Sequence, residues 1–308
     1  MRKRKKDILF HEYYEEWLEL YKVGAIREIT LDKYYVTHQR ILELAPDLRL
    51  SELDRRSYQR LLNEYALTHE KQTTMDFHHQ IKGAILDAVE EGLIAKNPTR
   101  KIIIKGKEPR KKKPKFLNQY ELQSLLKELE LNNEINWDWF ILLIAKTGLR
   151  FSEALALTPK DFDYFNQSLV INKTWNYKKA QGMIQPTKNE SSKRKIQIDW
   201  QVSMQFSQLT KEMDEENLIF VKGRVFNSTI NNRLEALCKK ANVPIITIHS
   251  LRHTHASLLL FAGVSIASVA RRLGHSSMTT TQETYLHIIQ ELENQDNDKI
   301  IRHLSTLV

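Results

Sequence analysis

The run IHSLRHTHASLLL (248–260), followed by RRLGHSS (271–277) and TTTQETYLH (279–287), carries the residues on which the reading of this chain turns. His249 and Arg252 stand three apart, so a helix places them on one face. His275 follows Leu273–Gly274, and Tyr285 is the one tyrosine after it. These are groups that suit a phosphate diester. Arginine offers a fork to non-bridging oxygens, histidine trades protons near neutral pH, and a tyrosine hydroxyl can become a covalent nucleophile. His253 and His255 invite a metal-site reading. Successive helical positions point in different directions, however, and no carboxylate is interleaved, so no metal and no cofactor are expected.

Working back along the chain, TGLRFSEALAL (147–157) places Arg150 at the start of a helix after a Thr147–Gly148 turn. Glu153 follows one turn on, close enough to hold its guanidinium or the surrounding backbone. Between these arginines LVINKTW (169–175), GMIQPTKN (182–189) and KRKIQID (193–199) predict a three-stranded antiparallel meander, with turns near Lys179–Gly182 and Asn189–Ser192. Lys188 falls at the tip of the last hairpin, where a lysine can reach into a groove and protonate a leaving oxygen. Upstream, Asn118 caps a helix through Leu131 whose buried side is Tyr120, Leu122, Leu125, Leu126 and Leu129. Trp137 to Lys146 is a nearly all-apolar, central helix.

The first hundred residues read as a small helical bundle. Phe10, Tyr13, Tyr14, Trp17, Leu18 and Tyr21 form one apolar stripe. Further helices run from near Thr30 to before Pro46, over Ser57–Ala66, and over Thr73–Glu91, closed by Gly92. Their aromatics are read as core. A basic segment then follows, Arg100, Lys101, Lys105, Lys107, Arg110, Lys111, Lys112, Lys113 and Lys115 against the single acid Glu108, punctuated by Pro98, Gly106, Pro109 and Pro114. It reads as an extended linker able to lie along a duplex and displace counterions from phosphates.

Composition bounds these readings. The 308 residues suffice for two domains, and 41% apolar residues can build real cores. The net charge of +9 is concentrated at residues 2–6 and in the basic segment. A single cysteine, Cys238, excludes an internal disulfide and any multi-cysteine zinc site. No apolar run approaches membrane-spanning length, and MRKRKK leads into an amphipathic, acidic stretch rather than a signal-peptide core, so a cytoplasmic protein without a membrane partner is expected.

In order and spacing, TGLRFSEALAL, PTKNESSKRKI (186–196), IHSLRHTHASLLL and LGHSSMTTTQETYLH (273–287) resemble the tyrosine recombinase, or phage integrase, family. The resemblance implies a mainly α fold with a small antiparallel β meander: a helical core-DNA-binding domain (1–98), the basic linker (99–115), an α+β catalytic domain (116–290) and a C-terminal tail (291–308) that could exchange between subunits. It implies that Arg150 and Arg252 clamp the scissile phosphate and that Lys188 protonates the departing 5′ oxygen. His249 would trade a proton with the tyrosine, His275 would hydrogen-bond the phosphate or orient the nucleophile, and Glu153 would lend support. Tyr285 would attack phosphorus to give a 3′-phosphotyrosyl bond. Cationic neighbours are expected to favour the phenolate, whose ordinary pKa is near 10.

The implied protein cuts and rejoins double-stranded DNA at paired core half-sites, as a homotetramer, to integrate or excise a phage or mobile element near the bacterial nucleoid. An excisionase or a host DNA-bending factor is a further implied partner. Only MRKRKKDIL precedes the first helix, so no separate arm-binding domain is expected. Two other readings share the scaffold: a catalytically silent DNA-binding regulator or accessory protein, and a type IB-like relaxing topoisomerase. The complete set of catalytic residue types favours the recombinase.

Overall fold

Asp54 and Asn118 mark how each half of the chain starts its helices. The Asp54 carboxylate accepts from the amides of Arg56 and Ser57, and the Asn118 side-chain oxygen accepts from Glu121 N, satisfying donors that a first helical turn leaves open. In a computed structural model, residues 7–109, 114–179, 181–285 and 305 are described. The chain forms two compact units, Met1–Lys111 and Lys112–Val308.

The first unit holds α1 (Phe10–Tyr21), α2 (Glu28–Leu44), α3 (Arg55–Ala66) and α4 (Lys71–Glu90). The aromatic stripe of α1 is core, with Phe10, Tyr13, Tyr14, Trp17 and Leu18 all buried. Its last predicted member, Tyr21, is instead exposed, at the final position of α1. Trp17 donates its indole N–H to Asp87 on α4 at 2.5 Å, and the Tyr58 hydroxyl meets His78 Nδ1 at 2.8 Å inside the bundle.

The basic segment opens in a turn over 98–101, with Lys101 at a left-handed φ of 53°, and is irregular from Ile102; it is not a free linker. Gln59 on α3 bonds both the amide and the carbonyl of Ile103, Arg55 donates to Lys101 O, and Lys107 N donates to His69 O. Ile102 and Ile104 pack against the bundle core. Gly106 passes so close to the start of α4 that a Cβ would come 2.2 Å from Lys71 N. Arg100, Lys101, Lys105 and Lys107 are thus exposed cations on an anchored segment, and Lys115 is exposed at the start of the second unit. Residues 2–6, Arg110 to Lys113 and the tail 291–308, apart from residue 305, lie outside the described residues.

The second unit is built around α6 (Trp137–Thr147), in which Trp139 to Ala145 are all buried. Before it comes α5 (Gln119–Lys127), shorter than predicted. Leu122 and Leu125 face the core, whereas Tyr120, assigned to the buried side by its spacing, is 77% exposed. After α6, Gly148 adopts a left-handed conformation (φ 70°) and ends the helix, and α7 (Phe151–Leu155) begins at once.

The predicted meander is corrected in its pairing. Strands β1 (Phe162–Asp163), β2 (Ser168–Ile171), β3 (Lys173–Trp175), β4 (Ile184–Pro186) and β5 (Arg194–Gln197) make two sheets. One has the order β1-β2-β5 and the other is the hairpin β3-β4, all antiparallel. The long alternating run breaks at Asn172, so β2 pairs with β5 while β3 pairs with β4, and β1 adds an edge that the sequence reading passes over. There follow α8 (Trp200–Leu209), α9 (Asn227–Lys240), α10 (Ile248–Phe261), packed on α6, and α11 (Ile266–Leu273). Residues 278–285 are helical.

Candidate active site

Two helix ends and two arginines interlock at the centre of the second unit. Gly148 and Gly274 cap α6 and α11 in the left-handed conformation, with φ of 70° and 68°. Each lends its carbonyl to an arginine of the other segment. Arg252 on α10 donates Nη1 to Gly148 O at 2.8 Å and Nη2 to Leu273 O at 2.6 Å, while Arg150 donates Nη2 to Gly274 O at 2.8 Å. The two forks therefore converge on adjacent carbonyls, one residue before His275. Side chains are excluded at both glycines: a Cβ would come 2.7 Å from the His255 ring at Gly148, and 2.9 Å from Arg194 Nη1 at Gly274.

Glu153 fixes Arg150 as the spacing predicts. Its carboxylate accepts from Arg150 N at 3.0 Å and from Arg150 Nη1 at 2.6 Å, and it is almost fully buried. Burial alone would raise its pKa, but the hydrogen bonds and charges of Arg194 and Arg150 outweigh burial and lower it. Arg252 is buried, and desolvation together with the Arg150 charge pushes it down to about 9, so it remains a cation at neutral pH. Three guanidinium groups thus surround one carboxylate, leaving a net positive field suited to an anion.

Histidines line the route from these arginines to Tyr285. The His249 and His253 rings meet edge to face at 4.9 Å, and His253 Nδ1 lies 2.9 Å from the Tyr285 hydroxyl. Contact with the phenol thus falls to His253, where the sequence reading gave it to His249. Four histidines share this stretch, and spacing alone does not show which one reaches across to another helix. His275 Nδ1 pairs with Thr281 Oγ1 at 2.8 Å. Burial, aided by nearby cations, lowers all three imidazoles, His253 and His275 to about 4.

The expectation about the phenol reverses. Tyr285 is buried in a cluster with Ala256, Leu260, Val269 and Leu273. Arg252 favours the phenolate, but desolvation outweighs it and pushes the hydroxyl up to about 12. In this arrangement the phenol is docked and protonated.

Lys188 lies exposed on the bend between β4 and a 3-10 turn at Glu190–Ser192, in the connection between the two sheets and not at the expected hairpin tip, since β4 pairs with β3 and β5 with β2. Arg194, at the start of β5, was not singled out by the sequence because it looks like one more cation in the alternating KRKIQID. Its side chain is only 6% exposed and clamps Glu153. Arg272 and the buried His255 form a second pair: His255 Nδ1–H donates to Ala145 O, leaving Nε2 to accept from Arg272 Nε at 2.8 Å. This pair ties α10 and α11 to the end of α6, and it explains why His255 is structural.

Comparison with known proteins bears on the family and the fold. Residues 115–291 match the model of the phage integrase family. The integrase of Staphylococcus phage L54a is 27% identical over an alignment covering 96% of this chain and 93% of that protein. Among solved structures, the Tn1549 transposon integrase in complex with a circular intermediate DNA superposes with a TM-score of 0.74 at 21% identity, covering 90% of this chain and 94% of that one. A lambda integrase tetramer bound to a Holliday junction gives 0.65 at 18% identity, covering 88% and 79%. At these identities the two structures speak to the fold.

Proposed function

The chain belongs to the phage integrase family and is a tyrosine-type site-specific recombinase of phage or mobile-element DNA, and on that basis we propose how its residues divide the reaction. Arg150 and Arg252 take the non-bridging oxygens of the scissile phosphate and stabilise the charge that develops on them. Tyr285 Oη bonds to phosphorus, the bond to the 5′ oxygen breaks, and Lys188 gives that oxygen its proton. The phenol proton passes to the His253 imidazole, which touches the hydroxyl and is neutral at working pH, with the His249 ring packed behind it. His275 orients the phosphate. A 3′-phosphotyrosyl bond conserves the energy of the broken diester, so rejoining to a new 5′ hydroxyl needs no ATP.

The observation that carries this reading is the convergence of Arg150 and Arg252 on the adjacent carbonyls of Leu273 and Gly274, immediately before His275 and within one helix of Tyr285. It builds a two-pronged anion clamp beside a nucleophile. Double-stranded DNA is the partner this chemistry requires. We assign 1–98 with 99–115 to DNA contact and 116–290 to catalysis. A homotetramer on paired half-sites, exchange of the tail 291–308, an excisionase or bending factor, and action at the nucleoid in the cytoplasm complete the proposal.

Arg150→Ala tests it, because that side chain is partly exposed and its loss leaves the core intact. Cleavage of a suicide duplex should fall on the order of 100–1000-fold with retardation of the same duplex preserved. Cleavage at the wild-type rate would remove Arg150 from the clamp.

A further inference from the structure

The segment between β4 and β5, which links the two sheets, is tied down more firmly than an exposed connection requires. Thr187 and Ser192 are both buried. Ser192 donates its amide and its hydroxyl to Asn189 Oδ1, at 3.1 and 2.5 Å, and the Thr187 hydroxyl donates to Asn189 O at 3.1 Å. Lys188 is thereby carried between residues whose positions are set from inside the unit.

Arg194 closes the far end of this segment. Nη1 donates to Ser192 O at 2.9 Å, Nη1 and Nη2 reach the two oxygens of Glu153 at 3.2 and 2.9 Å, and Nε donates to Arg272 O at 2.7 Å. Glu153 is the carboxylate that also holds Arg150, and Arg150 Nη1 lies 3.4 Å from Ser192 Oγ. The Gly274 turn is wedged against the same segment, since a Cβ there would meet Arg194 Nη1, Ser191 O and Ser192 Cα. A buried ion pair is weak evidence for stability, because desolvation offsets most of its attraction. What a planar fork supplies, and a lysine does not, is fixed geometry at several acceptors at once.

We propose that Arg194 is a positioning residue for proton delivery. By tying the Lys188 turn to Glu153 and to the Gly274 cap, it makes the ammonium and the Arg150 guanidinium address one phosphate. The inference rests on the reading of Lys188 as the proton donor: the bond between phosphorus and O5′ breaks as Tyr285 Oη–P forms, and O5′ takes a proton from Lys188.

A suicide duplex with sulfur in place of the scissile O5′ separates the roles, because a departing thiolate needs no proton. Lys188→Ala should slow single-turnover cleavage of the all-oxygen duplex on the order of 100-fold, and Arg194→Lys at least about tenfold, with both returning to within a few-fold of wild type on the sulfur duplex. Ser192→Ala removes the hydroxyl bond to Asn189 Oδ1, keeps the amide bond to it, and leaves the Arg194–Glu153 pair whole, and it should show a smaller loss with the same rescue. If Lys188→Ala is rescued while Arg194→Lys is not, or if Arg194→Lys cleaves both duplexes at the wild-type rate, Arg194 does not act through Lys188. If Lys188→Ala is itself not rescued, the proton-donor assignment fails and the inference falls with it. Should Arg194→Lys not fold, Ser192→Ala decides, and absence of rescue there overturns the proposal equally.

Discussion

Gly274, like Gly148, caps a helix of the candidate site in the left-handed conformation. Its left-handed φ disfavours any side chain by about 1–2 kcal/mol, and the space around its α-carbon is filled by Arg194 and by the backbone of Ser191. Gly274→Ala is therefore expected to destabilise the second unit by at least ~1–2 kcal/mol in denaturant unfolding, and to cost more activity than stability, since it displaces the carbonyl that Arg150 holds. The histidines make a second prediction at this scale. In the free protein, His253 and His275 should titrate near pH 4 and His255 near 3, well below an unperturbed imidazole, as read from their ring-proton shifts. Midpoints near 6.5 would show that burial is not what holds them neutral. Because the unfolded chain binds these protons first, stability is complete above about pH 6.5 and is lost as pH falls toward the folded values. For His255, the most buried, the loss is at most ~1.4 kcal/mol per pH unit.

At the scale of elements, the second unit depends on how α9 and α10 are fixed to α6. Asp138 near the start of α6 is buried and accepts a fork from Arg233 of α9, Nε to Oδ1 at 2.8 Å and Nη2 to Oδ2 at 2.7 Å. Arg233→Ala leaves that carboxylate with the Glu130 amide but no cation and should cost about 2–3 kcal/mol in thermal or denaturant unfolding; a loss under a few tenths would mean that water replaces the guanidinium. Residue types made α6 legible, because the unbroken apolar run from Trp139 to Ala145 has few homes except a core, and they made Arg150 with Glu153 legible, because a three-residue spacing fixes a helical pair. Sheet pairing was not legible. A break at Asn172 redirects β3 to β4, and alternation says which face a residue occupies but not which strand lies beside it. Tyr120 failed for a related reason: its spacing fits the buried stripe, but it lies in the first turn of α5, before the helix meets its neighbours. A reading centred on the motifs also passes over residues 200–247, where α8 and α9 complete the core.

For the molecule as a whole, charge and covalent chemistry separate. The exposed cations Arg100, Lys101, Lys105, Lys107 and Lys115 carry no sequence information, so replacing them with glutamine should weaken DNA binding evenly across sequences. For every phosphate no longer neutralised, the slope of log affinity against log salt should flatten by about 0.9. An unchanged slope would take these residues off the DNA. The motifs pointed to the proposed catalytic set without the fold, but not to the resting state of its tyrosine, because desolvation of Tyr285 depends on what the tertiary structure packs around it. Tyr285, docked and protonated on His253 in the free chain, is proposed as the group that becomes joined to DNA, and everything else in the mechanism serves that step. It can be tested by trapping the product on a nicked suicide duplex carrying the element's own ends, digesting it with protease, and locating the nucleotide by mass spectrometry. The expected product is a 3′-phosphate on the peptide containing Tyr285, with no adduct from Tyr285→Phe despite retained duplex binding. A nucleotide on any other residue, or an adduct that survives Tyr285→Phe, would overturn the assignment.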